Sequence, residues 1–373
     1  NRRQGWASMF RHHGLRTTGG VLLALTLTAC GAALSTSTSP AAPGGEVPSL
    51  TEVEPLADPG DWQGVVDVSL PDVTIDPVTD DARPTLPTRV TDAQGTTVTV
   101  EDTSRILALD IYGTLAHTVF ELGLGDNVVG RDTSSTFAAI ADAPLVTPSG
   151  HELSAEAILA LDPTVVLTDT SLGPWDVILQ LRDAGIPVVV VDSTRSMDNL
   201  ASLTREVGDA LGLPEEARTL GRRIQAEADA VRRQIATVAP AAVVDRLRTI
   251  FLYVRGQSGV YYMFGEGSGA DGLIDALGAY DVAEEIGWKG MRPVSDEGLV
   301  AAQPDVILMM SKGLESVGGV DGLLERFPAM AQTPAGENER IITMNDSHIL
   351  SFGPVAAEVL NALAVGLYAP GAL

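Results

Sequence analysis

The sequence predicts an α/β protein of two lobes joined by one long helix. Three observations carry this: strand-like and helix-like segments alternate on both sides of residue 214, one helix–turn–strand segment occurs twice, and an amphipathic run of helical period lies between the copies. With 373 residues the chain can bury a core in each lobe.

In chain order, residues 1–29 stand apart from that pattern. They hold four Arg and no acid, and the apolar run 21–27 is too short to span a bilayer, so the segment is expected to be a secretory signal peptide. Cys30 follows at once and is the single cysteine of the chain, which excludes an intramolecular disulfide. The wording LTACG around it resembles a bacterial lipobox, which implies lipidation of Cys30. Residues 30–87 are rich in Ser, Thr, Pro, Ala and acids, and are expected to form a flexible tether. Overall, 24 Lys plus Arg against 49 Asp plus Glu give a net charge of -25, which argues against nucleic acid and against an electrostatic grip on anionic lipid.

The first lobe is expected over 88–212. Segments 97–100, 106–109, 165–168 and 188–191 are short and rich in branched residues, as strands are. Helices are expected over 113–124, 154–161 and 175–184, with a short strand at 128–130 and a last helix capped by Ser196 and stopped at Gly212. The strand at 188–191 is apolar throughout, the pattern of a parallel sheet covered on both faces.

The joining helix is expected over 213–240. Pro214 suits a first helical position, Glu215 and Glu216 fall in the first turn, Arg232 and Arg233 lie near the end, and Pro240 stops it. Ala217, Leu220, Ile224, Ala228, Val231, Ile235 and Val238 recur at steps of three and four, making one apolar stripe. Such a helix is about 40 Å long and can reach across two lobes.

The second lobe, over 241–373, is expected to hold strands at 249–254, 260–264, 306–309 and 341–344, a helix over 270–277 and a final helix from Pro354. Its segment SDEGLVAAQPDVIL from Ser295 matches SAEAILALDPTVVL from Ser154, 141 positions earlier. Each reads as a capping Ser, a short helix, a Pro turn and a buried strand.

No enzyme motif is present: there is no P-loop, no G-x-S-x-G, no H-E-x-x-H and no Cys pair for zinc. Two α/β lobes on one long helix behind a lipobox resemble the substrate-binding lipoproteins of ABC importers for siderophores, cobalamin and haem. The wording is most similar to actinobacterial haem-import binding proteins, in GLGDNVVGRDTSS from Gly123, SGHELSAEAILALDP from Ser149, FLYVRG from Phe251, YYMFGEGSGAD from Tyr261 and GWKGMRP from Gly287. The resemblance implies two Rossmann-like lobes, haem as the transported ligand, an ABC permease dimer as partner, a non-enzymatic monomer, and an extracytoplasmic, lipid-anchored location.

It also implies a site. After Cys30 three histidines remain. His117 sits mid-helix and His348 beside the last strand, positions that suit packing, whereas His151 lies on a loop at the carboxyl end of a strand, where open α/β sheets contact ligands. Tyr253 and Arg255 point to the same side of one strand, and a nearby Arg favours phenolate, an axial ligand of ferric haem. Read alone, His151 also fits a surface loop and Tyr253 a core position. The family holds iron between a His of the first lobe and a Tyr of the second with an Arg two residues on, which implies those roles for His151, Tyr253 and Arg255. Tyr261, Tyr262 and Met263 are candidates for the ring's plane, though they also fit a hairpin core, and Arg131 and Arg292 for its propionates. Glu156 and Glu297, at matching places in the repeat, are the implied permease-docking residues. The alternatives are a ferric-siderophore or cobalamin binder, and a metal-dependent hydrolase using His151 with Glu152.

Overall fold

The computed structural model of the protein describes residues 46–373, so the expected signal peptide and Cys30 lie outside the described residues. The first half holds strands β1 (Val66–Val68), β2 (Thr88–Thr91), β3 (Thr97–Val100), β4 (Ile106–Leu109), β5 (Val165–Thr168) and β6 (Val188–Val190). Interleaved with them are helices α1 (Thr114–Val119), α2 (Ala155–Ala160), α3 (Trp175–Asp183) and α4 (Leu200–Ala210). Helix α5 (Pro214–Val238) follows. The second half runs β7 (Arg248–Arg255), β8 (Val260–Phe264), α6 (Ala270–Ala276), β9 (Tyr280–Asp281), α7 (Val282–Glu285), β10 (Met291–Pro293), α8 (Asp296–Ala302) and β11 (Val306–Met310). It ends with α9 (Ser311–Glu315), α10 (Gly319–Arg326), α11 (Pro334–Glu337), β12 (Ile341–Met344) and α12 (Ala356–Tyr368).

Two main sheets result. In the first half β4, β5 and β6 are parallel neighbours, and every residue of the three strands is buried, because helices cover both faces. In the second half the order is β1-β12-β11-β7-β8-β10, with β9 beside β7. There β1, β12, β11 and β7 are parallel, while β8 and β10 add an antiparallel margin. The tight connection 256–259 between β7 and β8 is too short for a parallel crossover and imposes the hairpin.

The repeat noticed in the sequence is structural. Ser154 caps α2 by accepting from the Ala157 N–H (3.2 Å), and Ser295 caps α8 by accepting from the Gly298 N–H (3.1 Å). Both segments then turn through a residue of positive φ, Asp162 at 46° and Gln303 at 43°, before entering β5 and β11.

Three local expectations are corrected. The tether expected over 30–87 does not extend through its described part. Val66 and Val68 are buried and pair with β12, Leu50 is buried, and its N–H donates to Asn361 (2.9 Å). The apolar residues there are few, but Leu50, Val66 and Val68 each find a buried place, which average composition conceals. Ser196 does not cap α4, which begins at Leu200; Asn199 instead accepts from the Ser196 N–H (3.1 Å), making a turn before the helix. The helix expected over 113–124 is regular only to Val119, then widens over Phe120–Leu124 and is broken there at Gly123, whose φ of 84° is left-handed. Arg223 of α5 donates to Glu121 (2.7 Å) and Asp76 (3.0 Å), fastening the long helix to that segment and to the strap before it.

Candidate functional site

Parallel strands that run the same way bring their carboxyl ends to one edge, and each following residue becomes a rim residue. In the second sheet these ends deliver Tyr253 and Arg255 from β7, Met310 and Lys312 from the β11–α9 junction, and Asn345, Asp346 and Ser347 after β12. Opposite stand Ile111, which follows β4, and loop residues Thr133, Ser134, Thr136, Gly150 and His151 of the first half. Together they line a cleft of about 420 Å³.

His151 owes its aim to Gly150, whose φ of 97° is unfavourable for any side chain with a Cβ. The loop is fixed beyond it by a bridge between Glu152 and Gly173 and by the Leu153 N–H donating to the Gly173 carbonyl (2.6 Å). His151 Nδ1 is buried without a hydrogen-bond partner, an unusual state for a polar atom. Burial, and then the Arg255 charge, hold the imidazole below its ordinary pKa, against an opposing pull from Asp346, so the ring is favoured as a neutral donor.

Tyr253 and Arg255 share one face of β7. The guanidinium carbon lies 4.5 Å from the centre of the Tyr253 ring, and the phenol ring stacks on Phe264 at 5.8 Å. Arg255 also donates to the Val254 carbonyl (2.8 Å) and forms an ion pair with Asp346. Asp346, the cleft's carboxylate, went unnoticed in the sequence. The available signal was its place just beyond an all-buried strand, at the carboxyl edge where open α/β sheets contact ligands.

The other candidates separate. Tyr262 lies directly opposite Tyr253 across the β7–β8 hairpin and so shares its face. Met263 is fully buried on the other face with Leu252 and Val254, in a separate core, and Tyr261 packs edge-on against Phe327 at 5.2 Å there. Arg292 pairs opposite Met263, on that same far face, with its guanidinium over Trp288 at 4.7 Å. Arg131 does not line the cleft and donates to the carbonyls of Asp132 (3.3 Å) and Ser135 (3.4 Å). The strand's period of two thus removes Met263 and Arg292 from the neighbourhood of Tyr253. Glu156 and Glu297 are exposed at the second positions of α2 and α8, with no ion-pair partner among the described residues. His117 is buried against Phe137 (5.0 Å) and beside Glu121 (3.4 Å), a packing role, while His348 lies behind the cleft wall. For metal hydrolysis, His151 has no cluster of further His, Cys, Asp or Glu ligands among the described residues.

Beneath the first-half rim lies a buried polar group. Asp110, after β4, and Asp169, after β5, face Arg195, which also sits 5.0 Å from the Tyr112 ring. Asp132 accepts from the N–H groups of Asp110 (3.1 Å), Ser134 (2.9 Å) and Ser135 (2.8 Å), so it shapes the 133–136 rim loop. Burial raises the Asp110 pKa to about 8 and that of Asp132 to about 6.

Known proteins share this fold. The family model described as "Periplasmic binding protein" matches residues 111–347. The crystal structure of the heme binding protein HmuT superposes with a TM-score of 0.79 at 43% identity, covering 84% of this chain and all of that one. HmuT has also been solved as separate alanine variants at one histidine, one tyrosine and one arginine. The periplasmic heme-binding protein RhuT from Roseiflexus sp. RS-1 superposes at 0.65 with 36% identity, over 73% of this chain and 100% of that chain. The ABC transporter substrate-binding lipoprotein YvrC of Bacillus subtilis (strain 168) is 24% identical over 76% of this chain and 86% of its own length. With its cleft between the carboxyl ends of two sheets, one long joining helix and these matches, the chain belongs to the periplasmic binding protein family.

Proposed function

We propose that this protein captures haem in the cleft, with the iron held between His151 and Tyr253, and hands it to an ABC permease. The observation that carries the reading is the convergence, in one cleft, of a half-buried imidazole and a phenol under an arginine. Neutral imidazole and phenolate both ligate ferric haem, and Phe264 behind the phenol adds an apolar wall. The 43% identity to HmuT, a heme binding protein, supports the same ligand. Tyr262, on the Tyr253 face, is the remaining ring contact from the β8 set.

The protein acts by binding and delivery rather than catalysis, as a monomer anchored through Cys30 outside the membrane; YvrC is likewise a lipoprotein of an ABC transporter. Docking falls to α2 and α8. Each presents an exposed acid, Glu156 or Glu297, and three residues on an exposed apolar side chain, Leu159 (43% exposed) or Val300 (45%). Two like patches suit two like permease subunits.

Visible absorption during titration with haemin, a ferric siderophore and cobalamin in parallel tests the ligand. Saturable, one-to-one spectral change with haemin alone is expected; saturable binding of the siderophore or cobalamin in its place would overturn the reading.

A further inference from the structure

The chain contains only two lysines. Lys289 is exposed and paired with Glu266 at 2.9 Å. Lys312 is exposed at the cleft and has no ion-pair partner among the described residues. The charges around it are otherwise balanced: Arg255 is answered by Asp346, and Asp346 is the sole carboxylate lining the cleft among the described residues. In a chain of net charge -25, an unanswered cation at the mouth of the binding cleft marks a preference for an anionic ligand.

Its base is held in place from both sides. Ser311 Oγ donates to Asp67 (2.8 Å), and a Cβ on Gly313 would come within 3.0 Å of the Val254 carbonyl oxygen, so the backbone at 311–313 is seated between β1 and β7. Arg131 and Arg292, the cations expected from the sequence to meet propionates, are engaged elsewhere, with backbone carbonyls and with Trp288.

We propose that Lys312 receives a free carboxylate of the bound porphyrin, so that the cleft distinguishes haem from its neutral esters. The inference rests on the haem reading above. Its test is titration of the purified protein, Lys312→Gln and Lys312→Arg with haemin and with iron protoporphyrin dimethyl ester, in low salt and in 0.5 M NaCl. The parent should favour haemin by about five-fold, the upper range for one partly solvated ion pair, and the preference should shrink in high salt. Lys312→Gln should abolish the preference while leaving the ferric ligand bands unchanged, and Lys312→Arg should restore it. A preference that persists in Lys312→Gln, or equal binding of both porphyrins by the parent, overturns the assignment of Lys312 alone. A parent that binds neither porphyrin overturns the haem reading and this inference with it.

Discussion

Replacing Arg255 by Ala tests whether the cleft's charges form one coupled unit. The side chains of Arg255 and Asp346 are 28% and 21% exposed, so their attraction is neither fully screened nor fully buried. Two unit charges near 4 Å at an effective dielectric constant of about 20 attract by about 4 kcal/mol, and desolvation and lost rotamer freedom leave a net of about 1–2 kcal/mol. The stacked contact with Tyr253 at 4.5 Å contributes about 0.5–1 kcal/mol more. Asp346 Oδ1 already lacks a partner, so without Arg255 neither carboxylate oxygen keeps a side-chain donor. Arg255→Ala should therefore destabilise by about 2–3 kcal/mol in total. Adding Asp346→Asn should recover about 1–2 kcal/mol of that, since the stranded charge is gone. Urea unfolding of the parent, both single variants and the double variant gives the coupling directly. Additivity within about 0.5 kcal/mol would refute a working ion pair.

Two further outcomes follow from other parts of the structure. Asp110 and Asp132 are raised toward pKa values of about 8 and about 6, so the folded state binds protons that the unfolded chain releases; the stability they contribute is full below about pH 4 and is lost as pH rises through 6 to 8. Melting temperatures from pH 5 to 8.5 should fall less steeply for Asp110→Asn than for the parent, and parallel curves would contradict the buried proton. Reversing charge at both Glu156 and Glu297, to Arg, should abolish haem uptake in cells while haemin binding by the purified variant is unchanged; normal uptake would remove both residues from docking.

The fold was legible where local chemistry and tertiary demand agree. Pro214, the apolar stripe and Pro240 mark α5 because a long amphipathic helix must end where its donors or acceptors run out. The paired segments at Ser154 and Ser295 were legible because capping and turn signals are local. β1 was not, since Val66 and Val68 gain their burial from β12, far along the chain, and nothing within 46–87 reveals that partner. At the site, the spacing of Tyr253 and Arg255 placed them on one face. The same rule, applied to β8 and β10, needs a register that only pairing supplies, and that register sets Met263 and Arg292 on the face away from Tyr253. Asp346 is a single charge in a loop and Lys312 one in the first turn of the short α9, and their meaning arises only when three strand ends meet.

The central claim is that His151 and Tyr253 together hold ferric haem, and the ferric absorption spectrum of haemin-loaded parent, Tyr253→Phe and His151→Ala tests it most directly. The parent should show the charge-transfer absorption of a phenolate-bound ferric iron. His151→Ala should keep it with altered coordination, and Tyr253→Phe should lose it while still binding haemin more weakly. A Tyr253→Phe spectrum identical to the parent's would contradict the account.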